Sequence, residues 1–539
     1  MKKEMPAWLE SAIFYQIYPQ SYYDTNGDGI GDIKGIHEKL DYIQQLGVNA
    51  IWINPCFESP FKDAGYDVSD YYKVAPRYGT NADLEELMSD CNTRGIRVIL
   101  DLVPGHTSMD HAWFQESQKA EQNQYTDWYI WNDSVWADQE PGLNITRGYA
   151  ERNASYIANF FYFQPALNYG FAHPDPDKPW HQPVAAPGPQ AVIQEIKQII
   201  AFWLEKGASG FRVDMASSLV KHDPGKIETG KIWQDIRTWM SERYPEAVLI
   251  AEWGVPAQAL QSGFHVDMLL GGYHNPGLTS LFRKRGIGMH RDPYGWSFFD
   301  EAGHGDITQF VDEYTRQLEQ TQALGYMGII TGNHDEHPRM ADGKSVKMMK
   351  LVYLFLLTMP GTPFIYYGDE IGMKYVHGLA SKEGGYERTG VRTPMQWQDS
   401  LNAGFSTGSP EQLYLPVSES YPAVNVANQL ADPSSLLNTV RHLISIRKSH
   451  PALQAEAAFS VVHAQAGELP FVYKRILGDE TYLVALNPSR NKEQYTFKLE
   501  HNPKQGSSLF TQNGAFRLDD NQMTLDLGPV SGLLIKLSS

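Results

Sequence analysis

The chain has 539 residues, of which 42% are apolar and 12% aromatic, a composition that excludes a disordered protein and suggests two or three domains. Its net charge of -18 and its pI near 5.4 argue against binding to nucleic acid, because that affinity comes mainly from clustered Lys and Arg. We therefore expect no nucleic-acid partner.

Cysteine content and apolar runs bear on the compartment. The two cysteines, Cys56 and Cys91, are too few for a disulfide framework and are more typical of a reducing compartment. The residues after Met1 lack the apolar core of a signal peptide, and the most apolar run, Leu351 to Met359, is too short to span a bilayer. The sequence therefore predicts a cytoplasmic protein without a membrane partner.

The first predicted element is a strand, A-I-F-Y-Q-I-Y-P from Ala12, and a loop rich in oxygen side chains follows it, Y-D-T-N-G-D-G-I-G-D-I from Tyr23. An EF-hand would need a helix before this loop and a Glu at its twelfth position, where the chain has Gly35. A metal-free turn is the alternative, but carboxylates this close repel one another unless a cation lies between them. The candidate ligands are Asp24, Asn26, Asp28 and Asp32.

Seven more apolar runs of strand character follow along the first two thirds of the chain. They begin at or near Ala50, Arg97, Gly210, Ala247, Val266, Gly328 and Pro363. Between most of them lie segments with apolar residues at helical spacing that end at or near a glycine. Eight apolar strands that alternate with amphipathic helices predict the α/β class and a closed (β/α)8 TIM barrel.

The spacing of the strands predicts the domain organisation. A long segment rich in aromatic residues, Asn and Asp separates the third strand from the fourth and indicates an inserted subdomain. Short, closely spaced strands after residue 454 indicate a C-terminal antiparallel β-sandwich. The predicted domains are residues 1–106 and 177–454 for the barrel, 107–176 for the insertion and 455–539 for the sandwich.

Acidic residues follow strands four, five and seven, and in such a barrel the active site gathers at the carboxyl ends of the strands. Arg212 and Asp214 are two residues apart, so their side chains share a face, and the guanidinium would hold Asp214 ionised as a nucleophile. Glu252 follows V-L-I-A, surroundings that raise a carboxyl pKa and suit a general acid. A lone Asp at such a position is more often a helix cap. Together, however, the acids favour glycosidic bond cleavage.

Five short segments resemble signatures of the α-amylase superfamily, glycoside hydrolase family thirteen. They are D-L-V-P-G-H from Asp101, Q-P-A-L-N from Gln164, G-F-R-V-D from Gly210, A-E-W from Ala251 and G-N-H-D-E-H-P-R from Gly332. Each segment alone is weak evidence, but all five occur in the right order at the right strands. The resemblance covers essentially the whole chain.

The resemblance implies a role for each residue of the signatures. Asp214 would be the nucleophile that forms a covalent glycosyl-enzyme, Glu252 the general acid/base, and Asp335 the residue that binds the sugar hydroxyls at C2 and C3. Their hydrogen-bonding partners in this subsite would be His106, Arg212 and His334. Retention of configuration follows if the two reacting carboxyl groups are about 5 to 5.5 Å apart.

The segment S-P-F-K-D-A-G-Y-D-V-S-D-Y from Ser59 is similar to the family's substrate platform after strand two. The resemblance implies that Tyr66 stacks on the sugar ring and that Asp63 lies at the pocket floor, paired with Arg392 in preference to Arg388. Phe163 is assigned to the same substrate-binding set. Such a floor implies an exo-acting enzyme on short α-glucosides, whereas the alternative is a surface ion pair of little energetic weight.

The loop after strand one also matches the family, in the branch of oligo-1,6-glucosidases and trehalose synthases. The resemblance implies a single structural Ca2+ or Mg2+, with the carbonyl of Ile30 as an additional ligand, and no organic cofactor. Three positions depart from the family pattern, namely Gly105, Ala166 and Met215. Gly105 puts the second calcium site of typical α-amylases in doubt, and Met215 does not decide between α-1,4 and α-1,6 linkages.

The expected protein is a retaining α-glucosidase with a small α-glucoside substrate, present as a monomer or a weak homo-oligomer. One alternative uses the same covalent intermediate and passes the glucosyl group to a sugar, as in trehalose synthase, sucrose isomerase or a transglycosylase. A second alternative is a non-catalytic carbohydrate-binding relative. It is disfavoured because all three acids are present and no membrane segment is found.

Overall fold

The computed structural model describes residues 5–137, 139–148, 150–271, 274–283, 296–500 and 503–538. Its central element is a closed barrel of eight parallel strands, each paired with the next along the chain, while the eighth pairs with the first. The strands are β1 (Phe14–Ile17), β2 (Ala50–Ile53), β3 (Arg97–Leu102), β4 (Gly210–Val213), β5 (Val248–Ala251), β6 (Val266–Met268), β7 (Tyr326–Ile330) and β8 (Thr362–Tyr366). The predicted barrel is confirmed.

The register of the barrel brings the catalytic candidates to one level. Asp101 on β3 is paired with Arg212 on β4, and Arg212 is paired with Ile250 on β5. The sheet hydrogen bonds continue one residue beyond the strands, since the amide of Asp214 donates to Leu102 and that of Glu252 to Val213. Both carboxyl groups therefore emerge side by side at the carboxyl end of the barrel.

Helices connect the strands and cover the barrel. They are α1 (Ile33–Glu38), α2 (Leu40–Leu46), α3 (Asn81–Thr93), α4 (Ala112–Ser117), α5 (Pro187–Glu205), α6 (Ile227–Arg243), α7 (Pro256–Gln261), α8 (Pro276–Phe282), α9 (Thr308–Thr321), α10 (Val346–Thr358), α11 (Val426–Ala431) and α12 (Leu436–Ser449). In α5 the first turn holds prolines, and Ile196, Ile200 and Trp203 are fully buried. Within the described ranges every helix is too short or too polar to cross a bilayer.

The segment between β3 and α5 contains a short antiparallel hairpin, Asn144–Thr146 with Tyr156–Ala158. A cluster of aromatic rings packs around it, with Phe114 stacked on Trp131 at 5.4 Å between ring centroids. A second two-stranded sheet, Phe57–Glu58 with Asp70–Val74, follows β2. Both small sheets belong to the connections that follow barrel strands at their carboxyl ends.

The C-terminal strands are β9 (Ala458–His463), β10 (Phe471–Leu477), β11 (Glu480–Asn487), β12 (Glu493–Lys498), β13 (Gln505–Asp519) and β14 (Gln522–Ser538). They form one connected antiparallel sheet in the order β9-β10-β11-β14-β12, and β13 pairs along the length of β14. The first part of β14 pairs with β12 and its last part with β11, so both halves share one strand. Apolar residues of the two halves pack together as one core cluster.

Arg475 joins the C-terminal sheet to the barrel, and a second buried arginine, Arg447, pairs with carbonyl groups on the barrel side. Arg475 on β10 donates to the carbonyl groups of Thr358, Leu453, Gln454 and Ala457. Arg447 on α12 donates to further carbonyl groups at the end of α10 and before β8. Backbone carbonyls that end helices are costly to bury unless they are paired. The arginines therefore make this interface possible.

We expect Arg475→Ala to lower the free energy of unfolding by about 3 kcal/mol, because it leaves buried carbonyl groups without donors. Thermal unfolding followed by circular dichroism measures the change. Arg517→Ala is the matched control, since that side chain is 65% exposed and pairs only with Asp526; it should shift stability by less than about 0.5 kcal/mol. Equal unfolding curves for the two variants would contradict this account of the interface.

Candidate active site

One buried arginine holds three carboxyl groups at the mouth of the barrel. Arg212 donates from Nη1 to Oδ1 of Asp101 at 2.9 Å and to Oδ1 of Asp214 at 3.0 Å. Its Nη2 lies 2.6 Å from Oε1 of Glu252. Because a guanidinium is planar and rigid, it fixes the three carboxyl groups relative to one another. The two candidate reacting groups therefore share a single cation.

Burial dominates the titration of these two groups. It raises the pKa of Asp214 to about 7 and that of Glu252 to about 7, and Arg212 only partly opposes the effect. Arg212 lowers the pKa of Asp214, which is the direction expected from the sequence, but the loss of hydration on burial has the larger and opposite effect. Arg212 contacts both groups, so Asp214 and Glu252 titrate as a coupled pair. A coupled pair that holds one proton has one acid and one ionised group, as the chemistry requires.

The backbone just after β4 orients the general acid. The amide of Met215 donates to Oε2 of Glu252 at 2.9 Å. Met215 has a φ of +42°, a conformation that costs energy for a residue with a side chain. In this strained turn the Met215 amide contacts Oε2 of Glu252, while Arg212 contacts Oε1.

Asp335 is the ionised acid of the site. An Asx turn places it after β7, since Oδ1 of Asn333 accepts a 2.8 Å bond from its amide. Burial alone would raise its pKa, but His334, Arg388 and Arg392 together lower it well below the usual range. Arg388 and Arg392 donate to its Oδ1 at 2.6 and 3.0 Å. This carboxylate is therefore charged at every physiological pH.

The tautomer of His334 follows from its neighbours. Nδ1 lies 3.1 Å from the side-chain amide nitrogen of Gln16 and 3.2 Å from that of Asn54, both of which are donors. The ring proton is then on Nε2, which lies 3.3 Å from Oδ2 of Asp335. Burial lowers the pKa of His334 to about 3, so the ring is neutral.

Tyr66 and His106 lie beside this group. The Tyr66 ring is parallel to that of His334, with 5.2 Å between centroids, and its hydroxyl donates to Asp101 at 3.0 Å. His106 is within 3.1 Å of the Tyr66 carbonyl and 3.2 Å of the Asn159 side chain. Burial lowers the pKa of His106 to about 4, so this ring is also neutral. These contacts fix the side chains of Tyr66 and His106 without a bound sugar.

The pairing expected for Asp63 is wrong in its choice of arginine. Arg388 lies 3.9 Å from Oδ1 of Asp63, whereas Arg392 is directed to Asp335. The closer partner of Asp63 is Gln164, which donates to Oδ2 at 2.8 Å. Burial raises the pKa of Asp63 to about 7. Sequence order did not reveal which arginine lies nearer, since both come from one short 3-10 helical segment, Tyr386–Val391, and its cap.

A cavity of about 270 Å³ connects these residues. It is lined by Asp63, Tyr66, His106, Phe160, Asp214, Met215, Ser217, Ser218, Glu252, Trp253, Leu270, His274, Asp335 and Arg388. The assignment of Phe163 to the substrate-binding set stays a prediction. Its ring stacks on Phe161 at 5.3 Å between centroids, and Phe160 of the same run lines the cavity. Alternation in the run F-F-Y-F was the one signal that could have indicated this.

The loop after β1 has the geometry of an Asx turn. Asp24 accepts bonds from the amides of Gly27 and Gly29 and from the Ser406 hydroxyl, and Asp32 accepts from Gly35 as the N-cap of α1. Asp28 and Asn26 are exposed, with one amide bond each to a side-chain oxygen. The donor set consists of oxygen atoms, which fits Ca2+ or Mg2+. Ile30 lies in the same turn.

Comparisons with known proteins agree with this geometry. The family model "Alpha amylase, catalytic domain" matches residues 16–456. The chain is 34% identical to the trehalose synthase/amylase TreS of Mycolicibacterium smegmatis over 83% of this chain and 77% of that one. It is 32% identical to the oligo-1,6-glucosidase of Parageobacillus thermoglucosidasius over 89% and 90%, respectively.

Solved structures are similar over the whole length. An isomaltulose synthase mutant from Erwinia rhapontici, in complex with D-glucose, has a TM-score of 0.78 at 27% identity and covers 99% of this chain and 100% of that one. The trehalulose synthase of Pseudomonas mesoacidophila has a TM-score of 0.77 at 27% identity and covers 98% and 99%. With three acids braced at the carboxyl end of a (β/α)8 barrel, the chain belongs to the α-amylase family and is a glycoside hydrolase.

Proposed function

We propose that the protein is a retaining α-glucosidase that removes a terminal glucose from disaccharides and short oligosaccharides. The observation that carries the proposal is the bracing of Asp214 and Glu252 by one guanidinium, because it holds the two carboxyl groups together at the carboxyl end of the barrel. Two carboxyl groups that face the anomeric carbon with one proton between them are what glycosyl transfer through a covalent intermediate requires.

In the first step Asp214 attacks the anomeric carbon while Glu252 gives its proton to the departing glycosidic oxygen. Arg212 contacts both groups and therefore balances the charge that moves from one to the other. In the second step Glu252, now ionised, takes a proton from water, which displaces Asp214 from the sugar. The two inversions together retain the configuration.

The far wall of the cavity supports recognition of a terminal sugar. Asp335 is ionised and stands ready to accept from sugar hydroxyls that become more acidic as positive charge develops on the ring. Asp63 and Arg388 line the same cavity and offer an acceptor and a donor to further hydroxyls. Tyr66 adds an aromatic surface against which a sugar ring packs. Recognition of an end of the substrate favours exo action.

A transfer reaction is the second candidate, because several similar proteins are named as trehalose, isomaltulose or trehalulose synthases. Such an enzyme would use the same glycosyl-Asp214 intermediate and deliver it to a sugar instead of water. The residues of the first sugar site would be the same. The difference would lie in how the rim excludes water during the life of the intermediate.

We retain the predicted domain boundaries, residues 1–106 with 177–454, 107–176 and 455–539, as part of this proposal. A cytoplasmic location and a monomer or weak homo-oligomer belong to it as well. Cys56 and Cys91 are both buried and free, which supports a reducing compartment. The loop of Asp24, Asn26, Asp28, Ile30 and Asp32 would hold one Ca2+ or Mg2+ as a structural ion.

The reaction is tested with maltose, isomaltose, sucrose, trehalose and kojibiose, followed by proton NMR of the anomeric signals. We expect α-glucose as the first product, because two inversions restore the original configuration. Conversion of one disaccharide into another with little free glucose would replace hydrolysis by the transfer reaction. First release of β-glucose would contradict both candidates.

Asp214→Ala should lower turnover of an aryl α-glucoside more than about a thousandfold, because the covalent intermediate cannot form. Added azide should restore part of the turnover and give β-glucosyl azide, since the small anion attacks from the face that the carboxylate occupied. Mass spectrometry and NMR identify the product. Asp479→Ala, at an exposed turn, is the control. Azide rescue with an α-configured product would remove Asp214 from the nucleophile role.

Removal of Ca2+ with EGTA should lower the melting temperature by about 5 °C and leave the initial kcat unchanged, because the loop lies outside the reacting groups. Differential scanning fluorimetry and an activity assay on the same sample measure both. Asp28→Ala should abolish the response to Ca2+, since Asp28 is exposed and its side chain is needed for little else. A response to Ca2+ that persists in this variant would place the ion elsewhere.

A further inference from the structure

A second cluster of ligand-type side chains lies outside the sugar cavity. Within the described parts of the chain, one group of three acidic or imidazole side chains has its ligand atoms all within 4.8 Å of one another: Glu140, His181 and His222. Nε2 of His181 lies 3.4 Å from Oε2 of Glu140, and Nε2 of His222 lies 3.5 Å from Oε1. Both Nε2 atoms are buried and have no hydrogen-bond partner among the residues that the structure describes.

These separations fit a particular kind of ion. In a tetrahedral site with bonds of about 2.0–2.1 Å, two ligand atoms are about 3.3 Å apart. Nε2 of each imidazole lies at about that distance from a different oxygen of Glu140, and the three ligand atoms lie within 4.8 Å of one another. Two imidazoles and one carboxylate are a typical donor set for Zn2+, whereas Ca2+ and Mg2+ prefer oxygen ligands alone. We propose that Glu140, His181 and His222 bind one divalent transition-metal ion such as Zn2+, with water at the fourth position.

The surrounding residues hold the two imidazoles in place. The ring of Phe171 is parallel to that of His181 at 3.9 Å between centroids and edge-on to that of His222 at 5.4 Å. His222 has a φ of +49°, a conformation that a residue with a side chain adopts at an energetic cost. The backbone of His222 therefore has a strained conformation at the position from which its imidazole faces Glu140.

Two contacts must change when the ion binds. Nδ1 of His181 accepts a 3.3 Å bond from the Asp175 amide, so the ring proton must move from Nε2 to Nδ1 and this weak bond is given up. Lys178 donates to Oε2 of Glu140 at 2.8 Å and competes with a cation for that oxygen. Lys178 is partly exposed and also lies 3.5 Å from Asp175, so it has another carboxylate to pair with.

The site would connect the insertion to the wall of the sugar cavity. Glu140 and His181 precede β4, whereas His222 follows it, directly after Lys221. The Lys221 ammonium donates to Asn159 at 3.0 Å and to the carbonyl of Ser218 at 2.8 Å, and Ser218 lines the cavity. A bound ion would fix this part of the wall without taking part in the chemistry.

The test uses full-length protein without a histidine tag, stripped of metal with a chelator, and Zn2+ or Co2+ as the probe. We expect one Zn2+ per chain by titration calorimetry. Co2+ should give the intense visible absorption of a four-coordinate site, and Zn2+ should raise the melting temperature. Because these readouts do not depend on turnover, a negative result leaves the proposed hydrolase activity unaffected.

Variants distinguish this site from adventitious binding of Zn2+ at the protein surface. His222→Asn keeps a residue that tolerates positive φ and should weaken Zn2+ at least about a hundredfold, as should Glu140→Gln. Lys178→Gln should tighten Zn2+ roughly fivefold, because a competing positive charge is removed. His173→Gln, at an exposed position of the same segment, is the matched control.

Three results would overturn the proposal. One is the absence of stoichiometric Zn2+ or Co2+ binding by the folded wild-type protein. Another is Zn2+ binding that His222→Asn and Glu140→Gln leave unchanged while circular dichroism shows both variants folded. If Lys178→Gln weakened binding, the cluster would be an ordinary group of ion pairs and the metal assignment would fail.

Discussion

The site depends on one guanidinium buried in the mouth of the barrel. Arg212 is 1% exposed and contacts three carboxyl groups, those of Asp101, Asp214 and Glu252. Three buried carboxylates without a cation would be prohibitively unstable, and a lone buried cation would be equally costly. Burial of the three carboxyl groups and burial of Arg212 therefore depend on each other. The strained turn at Met215 and the neutral rings of His106 and His334 are arranged around it.

The two sides of the cavity use opposite electrostatic strategies. On one side, burial raises the pKa values of Asp214 and Glu252, which suits groups that take up and release protons. On the other side, two arginines keep Asp335 charged. The same residue type thus acts as a reacting group or as a fixed charge according to the number of cations near it. In the barrel, β6 lies between β5, which precedes Glu252, and β7, which precedes Asp335.

The fold and the reacting residues were accessible from the sequence because both depend on local patterns. Apolar runs mark the barrel strands, and parallel strands deliver whatever follows them to the same end. Details that depend on distances between remote loops were not accessible. The sequence favours Arg392 as the partner of Asp63, although Arg388 lies nearer, and it does not single out Phe160, which lines the cavity. The cluster of Glu140, His181 and His222 was not accessible either, because its residues are far apart in the chain.

The long strand β14 has a consequence for biosynthesis. It pairs with β11, β12 and β13, so every strand of the C-terminal sheet except β9 and β10 depends on it directly. While the ribosome is still adding residues before position 538, that sheet lacks its central member and exposes unpaired edges. Helix α10 of the barrel then presents an uncovered apolar surface, because it packs against β14 of that sheet. A nascent chain stalled near residue 520 should therefore be a preferred client of chaperones that bind apolar segments.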